Sequence, residues 1–227
     1  MFTKIVTSAL FAGFSAGVIA FALQYAFVQP ILLHAEMYEG GELFYVPGAP
    51  APAHVELDGG IELLRDALSA IFSALIYTGY GLVLIAGFAM AEMRGATVTA
   101  RSGLIWGVCG FIAVQMAPAF GLAPELPGMS AADVVERQVW WFGTVIATGL
   151  GLWLIAFGRG IAMWAPAVIL LLAPHVIGAP LADQMTGPTP PELASEFAAR
   201  ALGVGLAAWA VLGVLAAFFW AKENEDA

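Results

Sequence analysis

Six apolar runs, each about as long as a lipid bilayer is thick, constrain this chain more than any other feature. They lie at about 5–28, 67–91, 102–120, 139–157, 161–181 and 201–220. A hydrocarbon core of about 30 Å needs about 20 helical residues at 1.5 Å each. The fold class that follows is all-α: a polytopic transmembrane helical bundle of about six spans in a single integral membrane domain, 1–227. The runs pair into three hairpins, at about 1–95, 96–160 and 161–227. The first, third and fifth runs each meet proline near the far end, at Pro30, Pro118, and Pro174 with Pro180.

Composition carries the argument further. The chain is 61% hydrophobic and 11% charged, with a mean hydropathy of +0.87, where soluble domains average about 45–50% and about 25%. That excludes an ordinary water-soluble globule and a disordered chain. Eight Lys+Arg against seventeen Asp+Glu exclude a surface that tracks nucleic-acid phosphates. The sole cysteine, Cys109, excludes an internal disulfide framework and any Cys-rich zinc module.

Charge sets the expected orientation. Lys4, Arg94, Arg101, Arg159 and Lys222 lie on the side of the termini and short turns, and Arg65, Arg137 and Arg200 lie among the long loops. The side richer in basic residues is expected to be cytoplasmic, with both termini there. Thirteen of the seventeen acidic residues fall on the opposite side, giving an acidic outer face that raises local cation concentration. A rival reading takes Lys4, the apolar stretch and Ala20-Phe21-Ala22 as a cleaved signal peptide. The run continues to Val28, however, and its removal would break the pairing into hairpins.

The chain also repeats itself. Residues 78–86 read T-G-Y-G-L-V-L-I-A and residues 148–156 read T-G-L-G-L-W-L-I-A, seven of nine identical at an offset of 70. Each segment leads to an Arg-Gly turn, Arg94-Gly95 and Arg159-Gly160. The preceding spans rhyme as well, Val28-Gln29-Pro30 against Val114-Gln115-Met116-Ala117-Pro118. Equivalent helices two spans apart share an orientation, so this is an internal parallel repeat of the kind found in some transporters. The plainer reading is close packing of small-residue helices.

Chemistry-bearing motifs are few. No P-loop, H-E-x-x-H or G-x-S-x-G is present, so the chain is not expected to be an enzyme. His175, in A-P-H-V-I-G-A-P, is the one plainly intramembrane ionisable group, bracketed by Pro174 and Pro180. Such a group usually faces a cavity or a partner; the alternative is a neutral histidine bonded to a carbonyl freed by Pro174. His34 and Glu36 follow the first span, Gln115 and Glu125 mark the end of the third, and Asp183 and Met185 follow the fifth. His54 sits in a Pro/Ala-rich loop. Imidazole, carboxylate and amide oxygen together suit a borderline divalent ion, so His175, His34, Glu36, Glu125 and Asp183 are the candidate metal ligands, with Gln115 beside them. No pair has diagnostic ligand spacing. The start of the fourth span carries Asp133, Glu136, Arg137 and Gln138 ahead of Trp140 and Trp141. The tryptophans read as headgroup anchors, and Arg137 is expected to pair with Asp133 or Glu136, or to bind lipid phosphate. Arg65, between Glu62 and Asp66, reads as a structural ion pair.

Taken together, Pro118 with Pro124-Glu125-x-Pro127-Gly128, then Ala132-Asp133-x-x-x-Arg137-Gln138-x-Trp140-Trp141, then Pro174-His175-x-Ile177-Gly178-Ala179-Pro180 resemble the CbtA family of bacterial cobalt transporter subunits. His34-Ala35-Glu36 fits as well, and the resemblance runs over nearly the whole chain. It implies transport of Co(II) or a similar divalent cation linked to vitamin B12 metabolism, with no permanently bound cofactor. It also implies a bacterial inner-membrane location among lipid and a small single-span partner of CbtB type, with no role in nucleic-acid binding. Five spans are usual for that family, one fewer than the six runs here. A non-transporting membrane scaffold for a metal-binding partner, and a membrane-bound enzyme, are the rival functions.

Overall fold

The computed structural model describes residues 1–47, 62–184 and 186–225, and every regular element among them is helical. His54 and Met185 lie outside the described residues. In chain order the elements are α1 (Phe2–Phe27), α2 (Gln29–Glu39), α3 (Leu63–Glu92), α4 (Ala100–Phe111), a π turn (Ile112–Met116), α5 (Ala117–Ala119), α6 (Val134–Phe157), α7 (Ile161–Ile177) and α8 (Pro191–Glu225). Among the described residues five helices are long and apolar enough to cross a membrane: α1, α3, the stretch Ala100–Ala119, α6 and α8. Their outward side chains include Phe11, Phe14, Ile71, Phe72 and Leu75, all exposed, as expected where the solvent is hydrocarbon.

The fifth apolar run is shorter as a helix than the sequence suggested. It was expected over 161–181, but α7 has 17 residues, about 26 Å at 1.5 Å per residue. The helix stops at Ile177 because Gly178 takes φ 86°, a left-handed conformation that glycine adopts without steric cost. Pro180 then disfavours helical backbone at the residue before it. Among the described residues five helices thus reach spanning length and the fifth run forms a shorter one, so the expectation of six full-length spans is not confirmed.

The helices fall into two compact units. The first contains α1, α3, α4 and α8 from Gly203 onward. Its α1 and α3 pack along their length with very little between them. The buried face of α1 is Ser8, Ala9, Ala12, Gly13, Ala16, Gly17 and Ala20. A Cβ at Gly13 would overlap the backbone at Thr78, and one at Gly17 would press on Ala74. In lipid the hydrophobic effect does not drive helices together, so close backbone approach must supply the packing. The same logic joins α4 to α8, where Gly103 and Gly107 face Gly213 and the carbonyl of Trp209. Aromatic rings fill the remaining space, with Tyr80 stacked on Trp209 at 4.7 Å and Phe88 edge-on to Trp106 at 5.3 Å. Near the end of α3, the buried Trp220 indole donates to Glu92 Oε1 at 2.9 Å.

The second unit contains α2, the π turn, α5, α6, α7 and the first turns of α8. It begins at Val28 and resumes at Ile112, each shortly before a proline that disturbs helical hydrogen bonding. Pro30 brings no N–H for the carbonyl four residues back, so α1 gives way to α2. Pro118 has the same defect, and the turn before it widens to π geometry. Here α6 packs against α7 and, more briefly, against the π turn and α5. Ile31, Ala35 and Tyr38 of α2 form a small apolar core with Leu126 and Leu193, flanked by Met129 and Phe197.

The internal repeat recurs in local packing but not in helix pairing. Gly79 and Gly149 have open space where a Cβ would stand, while Gly81 and Gly151 lie against the carbonyls of Ala9 and Ala167, 3.2 and 3.1 Å from where a Cβ would be. Both Arg-Gly turns place glycine at positive φ, 83° at Gly95 and 73° at Gly160. The partner differs. α3 packs on α1, whereas α6 packs chiefly on α7, which a short turn folds straight back.

Candidate functional site

Every residue singled out from the sequence as a candidate for metal handling falls in the second unit. α2 supplies His34 and Glu36. His34 precedes Ala35, which is fully buried in the apolar core, and this places its ring 5.5 Å from the ring of Tyr38. Its Nε2 atom is buried and has no hydrogen-bond partner. Glu36 points outward and is exposed. An imidazole nitrogen with an unclaimed lone pair is the form in which histidine binds a metal.

The connection 121–133 supplies Glu125. Leu126 beside it is 3% exposed and plugs the apolar core. Glu125 receives Arg137 Nη2 at 2.9 Å. Arg137 was expected to pair with Asp133 or Glu136, and the structure corrects this. Asp133 caps α6, its Oδ1 accepting from the Val135 and Glu136 N–H groups at 2.8 and 3.2 Å. With that carboxylate committed to the helix start, Arg137 turns to the preceding loop. Gln138 is exposed. Arg65 behaves as read, lying 3.8 Å from Glu62 and 3.4 Å from Asp66.

α7 supplies His175, which is exposed near the helix end. Its ring meets Phe120 at 5.8 Å and Trp140 at 6.3 Å, both edge-on. The carbonyl of Pro174 accepts from the Trp140 indole at 3.2 Å and the Gly178 N–H at 3.0 Å. Asp183 is exposed in the segment that follows. The structure thus brings Glu125 to Arg137, and His175 to two aromatic rings. Among the described residues no three or more His, Cys, Asp or Glu side chains converge as a metal-binding group. A groove of about 670 Å³ runs beside α6 and α7, lined by Val139, Trp140, Gly143, Ala147, Pro174 and Ile177 among others. Glu136 and Thr144 are its polar side chains, so its character is that of a lipid-facing cleft.

Three residues carry weight that spacing did not reveal. Trp140, read as an anchor, ties α6 to the end of α7. Thr148 is fully buried with Oγ1 unpartnered, whereas Thr144 bonds back to the carbonyl of Trp140 at 2.8 Å. Gln115 lies within the π turn, and its Oε1 is buried without a partner too.

The family model described as "Probable cobalt transporter subunit (CbtA)" matches residues 2–221, nearly the whole chain. No curated protein and no solved structure matches.

Proposed function

The chain belongs to the CbtA family of probable cobalt transporter subunits, and from that premise we propose that it is a multi-pass membrane subunit for inward movement of Co²⁺ or a closely similar divalent cation. A subunit implies a partner, for which a single-span, metal-binding protein is the natural candidate. In this reading the membrane is the bacterial inner membrane, α7 completes a sixth crossing, and both termini are cytoplasmic. The length of α7 supports it. α7 starts three residues after α6 ends, and its Pro174 is bonded to Trp140, near the start of α6. A helix of 17 residues therefore accompanies α6 over most of that span.

Entering ions meet an exposed carboxylate on α2, Glu36, and another after α7, Asp183. The observation that carries the proposal is the unclaimed, buried Nε2 of His34. It is a ready donor for a borderline metal in the same unit as those acids. His175 stands as a second imidazole near the end of α7, with Glu125 held in reserve by Arg137. Energy need not come from ATP. A doubly charged ion crossing 100 mV gains about 4.6 kcal/mol, enough for a gradient of roughly 2,000-fold.

The test is uptake of radioactive cobalt into proteoliposomes with a negative interior, across a panel of divalent metals, with and without the partner subunit. His34→Ala should lower the initial rate at least tenfold at normal protein level, and His175→Ala should lower it several-fold. Unchanged rates in both variants would remove the imidazoles from the path. A second reading, a scaffold that holds a metal-binding partner, is favoured by the lack of three converging ligands among the described residues. It predicts no flux from this subunit alone, with partner binding intact.

A further inference from the structure

The third span carries a defect that the divalent reading does not use. Its helix opens into the π turn Ile112–Met116, and Pro118 follows. Proline brings no N–H, so a carbonyl of the preceding turn loses its usual donor. Non-helical backbone at membrane depth is tolerated where protein encloses it or where it lines a cavity. Within the turn, Gln115 Oε1 is buried and accepts no hydrogen bond. α6 packs against this turn. It carries two fully buried hydroxyls, Thr144 and Thr148, and Thr148 Oγ1 is likewise without a partner. Two elements in contact thus present neutral oxygens that protein donors leave unsatisfied.

We propose that the π turn and the facing part of α6 form a binding site for a monovalent alkali cation, with Gln115 Oε1, Thr148 Oγ1 and a carbonyl left free by Pro118 as its donors. The donor chemistry selects the charge. The segments 112–116 and 140–151 hold no Asp, Glu, His or Cys, so every donor there is neutral. The cost of dehydrating an ion rises with the square of its charge, and neutral carbonyl-type oxygens at broken helices are what membrane proteins use for Na⁺ and K⁺. A divalent ion would need the imidazoles and carboxylates that lie elsewhere in the unit. Such a site would let an alkali-ion gradient bias the subunit, whichever divalent metal it carries.

The experiment uses the full chain in nanodiscs and contains no cobalt, so its outcome is independent of the transport reading. Thermal unfolding is followed in NaCl, KCl and choline chloride at equal concentration, together with binding of ²²Na⁺. The expected result is a saturable rise in Tm in NaCl or KCl over choline chloride. Thr148→Val, which keeps the shape and removes the oxygen, should weaken the apparent affinity about tenfold, and Gln115→Leu should abolish the response. Should Gln115→Leu fail to fold, Gln115→Asn replaces it, with a weakened response expected. Equal Tm in all three salts, or a full response in Thr148→Val, would overturn the proposal and leave ordered water as the partner of these oxygens.

Discussion

The two units solve the problem of folding in lipid in opposite ways. The first brings backbones together over glycine, alanine and serine, with bulky side chains turned outward or used as aromatic filler. The second carries proline at its helix starts, Pro30 and Pro118, and within α7, Pro166 and Pro174, and it holds every candidate ion-handling residue. Regular helices leave no backbone oxygen free, and close packing leaves no room for an ion. Close backbone packing and proline-disturbed helix are thus the properties of separate compact units.

Substitutions that fill space should separate the units most sharply. Gly13→Leu forces a side chain into the Thr78 backbone and should cost about 3 kcal/mol or more, at or beyond the upper range for overpacking. The readout is loss of the monodisperse peak in size-exclusion chromatography. Gly143→Leu, where nothing lies within 4 Å of a Cβ, should leave that peak in place. Equal behaviour of the pair would erase the contrast.

A smaller effect compares two indole tethers. Trp220 in the first unit donates to the Glu92 carboxylate, and Trp140 in the second donates to the Pro174 carbonyl. Hydrogen bonds to charged groups contribute about 1.5–3 kcal/mol and neutral ones about 1 kcal/mol. Thermal unfolding should therefore fall further for Trp220→Phe than for Trp140→Phe, and the reverse order would place the stiffer tether in the proline-broken unit. The smallest effect is expected at Arg137 and Glu125, whose side chains are 31% and 35% exposed. A double-mutant cycle with Arg137→Gln and Glu125→Gln should give a coupling below about 1 kcal/mol that fades in high salt. A larger, salt-resistant value would show that this loop is as firmly built as the first unit.

The apolar runs made most of the helices legible, since 20 consecutive apolar residues have few other fates. The end of α7 was not legible, because 178–181 stay apolar while glycine and proline forbid further helix. The Arg-Gly turns were readable from the repeat, and the shift of α6 to its following neighbour was not, since identical glycines accept whichever helix arrives. At the candidate site, the capping role of Asp133 was open to recognition from its place ahead of the helix. Its consequence for Arg137 was not, because the partner, Glu125, lies twelve residues back and comes within reach only once the 121–133 connection has folded. Thr148 and Gln115 look unremarkable in a string of letters. Their interest lies in a missing donor, which exists only once the surrounding helices are in place.

α8 has 35 residues, about 52 Å of helix, against a hydrocarbon slab of about 30 Å. Its first turns contribute Leu193 and Phe197 to the apolar core over α2 rather than to lipid. A rod with so much overhang tolerates a host membrane that varies in depth: thickening by a few ångströms covers more of its shaft without stripping the polar tip of water, and thinning uncovers only a flank already shielded by protein. Lipid composition should therefore be a weak lever on this helix, and a far stronger one on the 26 Å of α7.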